Sequence, residues 1–163
     1  MPTCHRQAPG YRIGVLNEAW AANHPTVEGL KAGLRELGFS EGRDVTFDIR
    51  FTEGKSEATP VAAAELVRAG VDLIFTSNES ATLAAKAATQ KIPVVFTLVG
   101  DPVAAGIVKK LAHPEANLTG VSSLTTELVP KRLEALKTLI PNLRRVLKGL
   151  SRPVRTFNIA GLN

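Results

Sequence analysis

Cysteine is nearly absent from this chain of 163 residues, Cys4 being the only one. A single cysteine excludes an intramolecular disulfide and any cysteine-built metal site. A lipid-acceptor cysteine needs an apolar run before it, and Met1-Pro2-Thr3 supplies none, so Cys4 reads as an incidental thiol. Aromatics are scarce as well: one Trp, one Tyr and six Phe. With Ala, Val and Leu abundant instead, tightly packed α/β layers fit the composition better than an all-β sandwich. No run of about eighteen apolar residues occurs, so no transmembrane helix is expected. The nearest candidate, Ile92–Val108, is broken by Asp101 and Pro102. The opening MPTCHRQAPG lacks the apolar centre of a signal peptide. The expectation is therefore a cytosolic chain, or one whose export signal lies outside this sequence.

The motifs of several enzyme classes are missing too. After the first apolar run comes Asn17-Glu18-Ala19, with no glycine turn to bring a backbone against a pyrophosphate. There is no Gly-Lys-Ser/Thr phosphate loop, and no Gly-x-Ser-x-Gly elbow for a serine hydrolase. His5, His24 and His113 lie far apart, and two of them precede proline. Neither a metal, a cofactor nor a catalytic residue is expected. A receiver-type phospho-acceptor domain would want an aspartate ending the third strand, where this chain reads Phe75-Thr76-Ser77.

Apolar residues make up 44% of the chain, enough for one domain with a sizeable core. The net charge of +5 is unevenly placed. Residues 131–163 carry eight basic side chains against Glu134 alone, while residues 1–130 carry 12 basic and 14 acidic ones. The basic tail holds Phe157 as its one aromatic and no nucleic-acid motif, so no nucleic-acid partner is expected.

The order of elements carries the fold. Residues 1–10 read as a flexible leader and Tyr11–Leu16 as a first, buried strand. Thr26 caps a helix to Leu37, where Val27, Leu30, Leu34 and Leu37 share a face and Gly38 ends it. Asp44–Phe51 alternates as a half-buried edge strand. A helix over Ser56–Ala69 follows, with Pro60 in its first turn. Then come strand Val71–Phe75, helix Glu79–Gln90 and strand Pro93–Thr97. A short helix is expected over Val103–Leu111, a fifth strand over Leu118–Ser122 and a longer helix from Thr126 to Ile140, with Leu133, Leu136 and Ile140 on one face. Arg145–Leu147 could begin a sixth strand. The alternation predicts an α/β fold, a doubly wound parallel sheet of order 2-1-3-4-5 covered on both faces.

In such sheets ligands bind beyond the carboxyl ends of the strands. Ser77, Asn78 and Ser80 fall there, at a helix N-terminus whose free N–H groups and dipole favour an anion. Asp101 ends the adjacent strand and could accept from an ammonium group, so the two joints together suit a zwitterion. Each residue has a plain structural role as well: Ser77 or Asn78 as an N-cap, and Asp101-Pro102 as a cap pair. Asn17, Glu18 and Trp20 reach the same edge, and Trp20 could stack on a ligand or simply cover apolar surface.

Several blocks keep the order and spacing of a known family. They are YRIGVLNEAW, VEGLKAGLRELGFSEGRDVTFDIRFTEG, LVRAGVDLIFTSNESATLAAKAATQKIPVVFTLVGDPVAAGIV and NLTGVSS, with KRLEALKTLIP behind them. From Tyr11 to Val146 the chain resembles the N-terminal lobe of ABC-transporter substrate-binding proteins, the family with tryptophan- and tyrosine-binding members. The resemblance implies a Rossmann-like lobe of type I periplasmic-binding-protein architecture over residues 11–146. It implies a non-catalytic protein that closes two lobes on a small molecule, often an amino acid, and hands it to a membrane permease outside the cytoplasm. It also maps ligand contacts onto the joint after the first strand, onto Ser77, Asn78, Glu79 and Ser80, and onto Leu98 through Asp101. Residues 147–163 depart from the family, and a full member continues into a second lobe. The expectation is thus a fragment, or a product whose frame changed near Val146, that binds weakly or not at all. Other readings from the residues are a small-molecule-sensing domain of a transcription regulator and a flavodoxin-like enzyme with Glu18 or Asp101 as general base.

Overall fold

The computed structural model describes residues 10–18, 24–111 and 117–139. By its internal contacts the chain divides into two compact units, residues 1–125 and 126–163. Residues 1–9 of the leader, Trp20, His113-Pro114, Ile140, the sixth strand proposed at Arg145–Leu147 and residues 147–163 lie outside the described residues.

The first unit is a five-stranded, all-parallel sheet in the order β2-β1-β3-β4-β5. Its strands are β1 (Tyr11–Asn17), β2 (Val45–Phe51), β3 (Leu73–Thr76), β4 (Val94–Val99) and β5 (Leu118–Ser122). The helices are α1 (Pro25–Glu36), α2 (Thr59–Arg68) and α3 (Glu79–Ala88), and a 3-10 turn at Ser56–Ala58 leads into α2. β1 is buried from Ile13 through Asn17 because both its faces are covered. Ile13 and Val15 pack with Val27, Leu30 and Leu34 of α1. On the opposite face Leu16 packs with Ala63 and Leu66 of α2 and with Ala81 and Ala85 of α3. Gly14 permits the second of these contacts, since a Cβ there would lie 3.1 Å from both Leu66 Cδ2 and Val71 Cγ2. Fully burying side chains such as Leu66 and Ile74 stabilises the unit by about 1.5–3 kcal/mol apiece.

Local chemistry moves some element ends from where the sequence suggests them. His24, not Thr26, caps α1, and its ring contacts Thr26. Pro25 then takes the first helical position, where its missing N–H has no bond to lose. The segment after β2 starts as the 3-10 turn and becomes α-helical only at Thr59, with Pro60 in the first turn. The helix expected over Val103–Leu111 is not formed. Asp101 caps a turn over residues 102–106, and Gly106 leaves it in the left-handed region at φ 67°. Ile107, 2% exposed, then enters the α2–α3 side of the core. Burying that one side chain outweighs the helical propensity of the segment.

β4 and β5 carry the main irregularity. Phe96 pairs with Gly120 and Val99 with Ser122, so three steps along β4 match two along β5. The extra residue is a bulge, and Leu98 inside it is held at φ 57°. Gly120 allows the strands to meet, because a Cβ there would overlap the Phe96 carbonyl oxygen and lie 2.6 Å from its ring Cγ.

In the second unit the described residues form most of α4 (Thr125–Leu139), which has Pro130 inside it. Leu133 and Leu136, expected to share a face, are both exposed.

Candidate functional site

The carboxyl ends of β1, β3 and β4 bring most of the expected residues to one edge. β1 ends in Asn17, buried at 5% exposure, and runs into Glu18. Glu18 is the acceptor on which the edge converges. Thr59 Oγ1 donates to its Oε1 at 3.0 Å, Ser80 Oγ donates to the same oxygen at 2.6 Å, and Asn78 Nδ2 donates to Oε2 at 2.9 Å. One carboxylate therefore joins the end of β1 to the first turns of α2 and α3. Both helix N-termini direct positive potential toward that charge. The backbone repeats the link, with Gly54 N donating to Glu18 O at 2.8 Å and Thr52 N to Asn17 O at 3.1 Å.

Asn78 is the N-cap of α3, with its Oδ1 accepting from Ala81 N at 2.8 Å. Because its Nδ2 is bound to Glu18, the amide can take only one orientation: turning it over would lose both bonds. Behind it, Thr82 donates to Asn78 O at 2.5 Å, and the buried Thr76 and Thr82 hydroxyls share a bond of 2.8 Å. Ser77, between strand and cap, is 5% exposed. Its hydroxyl has no hydrogen-bond partner among the described residues. Glu79, the first residue of α3, is exposed.

One strand over, Leu98 projects from the β4 bulge, 54% exposed, with a left-handed backbone that costs a non-glycine residue about 1–2 kcal/mol. Asp101 follows, and its Oδ1 accepts from Val103 N at 3.1 Å and Ala104 N at 2.9 Å. The Val99 carbonyl between them is held three ways: by Ser123 N at 2.8 Å, Ser122 Oγ at 3.1 Å and Ser123 Oγ at 3.2 Å. These serines fix the β4 loop against the end of β5.

Of the residues singled out from sequence, Glu18, Asn78 and Ser80 are in direct contact, and Asn17, Ser77, Glu79, Leu98 and Asp101 lie along the same edge. Sequence reasoning missed Thr59, Ser122 and Ser123. Thr59 precedes Pro60 at a helix start, a signal that marks a terminus but not its distant partner. A cavity of about 560 Å³ along β2 and α2 reaches this edge only at Thr52 and Glu53. No group of three or more His, Cys, Asp or Glu side chains that could hold a metal occurs among the described residues.

Comparison with known proteins gives this edge its context. The family model described as ABC transporter substrate binding protein matches residues 19–151. A tyrosine-binding protein of Clostridioides difficile (strain R20291) is 32% identical over 127 residues, 76% of this chain and 36% of that protein. The crystal structure of a conserved domain protein from Vibrio cholerae superposes with a TM-score of 0.73 at 32% identity, over 81% of this chain and 44% of that one. An ABC domain from Streptococcus pneumonia, solved in complex with L-Trp, gives a TM-score of 0.63 at 32% identity, over 69% of this chain and 38% of that one. The chain thus spans less than half the length of each of these relatives. The match over residues 19–151 and these identities place the chain in the ABC transporter substrate binding protein family, whose members bind substrates without transforming them.

Proposed function

We propose that residues 11–146 are one lobe of an extracytoplasmic substrate-binding protein that delivers an amino acid to an ABC importer through its membrane permease. In this reading the ligand lies between the strand edge described above and a second lobe of the whole protein. Its carboxylate takes the Ser77 hydroxyl and the N–H groups of Glu79 and Ser80 at the start of α3. Its ammonium group faces Asp101, whose Oδ2 accepts from none of the described residues, and the exposed Glu79. Asn17 and Glu18 border the ligand on the β1 side. Glu18, with three donors engaged, also holds Asn78 and Ser80 in register, and Trp20 and Leu98 contribute apolar surface.

The observation that carries this reading is Ser77, a hydroxyl on a residue 5% exposed, without a partner among the described residues, next to a helix N-terminus. Its oxygen is not among the buried side-chain atoms that lack a partner, so the hydroxyl is open to solvent and can donate to an anionic ligand at that helix end. The names of the relatives, a tyrosine-binding protein and a domain holding L-Trp, support an aromatic amino acid. Among the described residues no helix is long and apolar enough to cross a membrane. Titration of the 163-residue chain with L-tyrosine and L-tryptophan, alongside a nucleotide and a flavin, tests the proposal. One edge contacts one side of a ligand, so dissociation constants near about 1 mM are expected for the amino acids and no binding for the others. Tight nucleotide or flavin binding would overturn it.

A further inference from the structure

β2 forms one edge of the sheet, and among the described residues its outer side pairs with no other strand. Backbone direction alternates along it. Asp44 O accepts from Tyr11 N and Thr52 N donates to Asn17 O, so the even-numbered residues face β1 and the odd-numbered ones face outward. Val45 is already bonded on that outer side, its N–H to Ser40 O and its C=O to Gly42 N. This leaves the N–H and C=O groups of Phe47, Ile49 and Phe51. Sheet edges are commonly blunted by proline, lysine or a bulge; β2, reading VTFDIRF, has none of these. Its side chains are also incompletely covered. No residue of β2 after Val45 is buried, and Phe51 is 41% exposed. The buried Nε of Arg50 lies 3.1 Å from Asp48 Oδ1 without making a hydrogen bond.

We infer that β2 is a self-association edge, pairing antiparallel with β2 of a second copy across a two-fold axis at Ile49. Charge complementarity selects both this partner and this register. Each outward residue then exchanges an N–H and a C=O with its opposite: Ile49 with the partner's Ile49, and Phe47 with the partner's Phe51. Asp48 stands opposite the partner's Arg50, and Arg50 opposite the partner's Asp48, at the non-hydrogen-bonded positions where side chains come closest. The contact is isologous, so every favourable pair occurs twice. An axis at Phe47 would meet Val45, whose groups are taken, and one at Phe51 would lose the charge pairs. Because the strands run antiparallel, the two carboxyl edges face opposite directions, and the contact is independent of the ligand reading above.

Sedimentation equilibrium of the 163-residue chain tests this. A single pair of strands is a small interface, so a dissociation constant of about 100 μM is expected. The mean mass should rise from 17.4 kDa toward twice that value as concentration increases. Asp48→Arg and Arg50→Asp each make both charge pairs repulsive and should weaken association by about tenfold. Mixed together, the two variants restore opposite charges at every pair and should associate as the parent does. In the parent, amide exchange at Phe47, Ile49 and Phe51 should slow as concentration rises, while Thr46, Asp48 and Arg50 stay protected throughout. That measurement needs no variant to fold. A parent that remains at 17.4 kDa up to about 1 mM, or edge amides indifferent to concentration, would overturn the inference. So would folded variants that associate like the parent, or whose mixture is no stronger than either alone.

Discussion

Asn78→Asp separates a cap from a network. Asp and Asn are equally good N-caps, and the dipole of α3 slightly favours the added charge, by about 0.5 kcal/mol. If Asn78 only capped α3 through Ala81 N, the substitution would be neutral or mildly stabilising. Its Nδ2, however, donates to Glu18 Oε2 at 2.9 Å. The aspartate loses that bond to a charged acceptor, about 1.5–3 kcal/mol, and sets a second carboxylate against the first. Two like charges relaxing to about 5 Å repel by about 3 kcal/mol at an effective dielectric of 20, less after solvent screening at this half-buried site. With the dipole gain set against these terms, a net loss of about 2–4 kcal/mol follows, a drop of roughly 5–12 °C in melting temperature for a chain of this size. Asn78→Ala loses the cap and the same donor without adding charge, about 2.5–4 kcal/mol, so the two variants should be similarly destabilised at neutral pH. Acid should favour the aspartate variant. Protonating either carboxyl removes the repulsion. The part of the deficit that comes from repulsion should therefore shrink as pH falls through the carboxylate range, while the part from the lost amide donor stays. Thermal melts followed by far-UV circular dichroism between acidic and neutral pH measure both effects. An aspartate variant as stable as the parent at neutral pH, or a deficit that ignores pH, would refute the network.

Other consequences follow from single contacts. Gly120→Ala places its methyl on the Phe96 carbonyl; the loss should exceed about 3 kcal/mol, and amide exchange should quicken first along β4 and β5. Thr59→Val conserves shape but removes the donor 3.0 Å from Glu18 Oε1; a cost of about 1–2 kcal/mol is expected, readable by urea denaturation with an unchanged m-value. Asp44 is held below the usual carboxylate value by its hydrogen bond from Arg43 and then by that from Ser40 N. Its contribution is therefore present above that ordinary value and lost as pH falls through the lowered one. An NMR titration should find its midpoint depressed, and Asp44→Asn should remove that segment of the acid dependence.

The sheet was legible because it rests on local signals repeated in order. Each buried strand is a short apolar run and each crossover a capped amphipathic helix, so β2-β1-β3-β4-β5 follows from alternation and the preference of consecutive elements to be neighbours. The misread segment, Val103–Leu111, has a local pattern compatible with helix but answers to a distant demand, the burial of Ile107. The site divides in the same way. Ser77–Ser80 could be read from a strand running into Ser, Asn and a helix start. The partners of Glu18 could not, because Thr59, Asn78 and Ser80 stand 41, 60 and 62 residues away in the chain. The Leu98 bulge is equally hidden, since Thr97-Leu98-Val99 carries no glycine to announce a left-handed residue.

This difference decides which polar groups remain for a ligand. Sequence pattern gathers side chains at an edge but does not say whose lone pairs and protons are already taken. Here Glu18, Asn78 and Ser80, which look like ligand contacts one by one, satisfy one another. Ser77 keeps its hydroxyl and Asp101 its second oxygen without partners among the described residues. The first three fix the geometry of the edge. Ser77→Ala should change binding while leaving the fold in place. At Asp101 the substitution that does so is Asp101→Asn, which keeps the Oδ1 acceptor for Val103 N and Ala104 N and removes the charge.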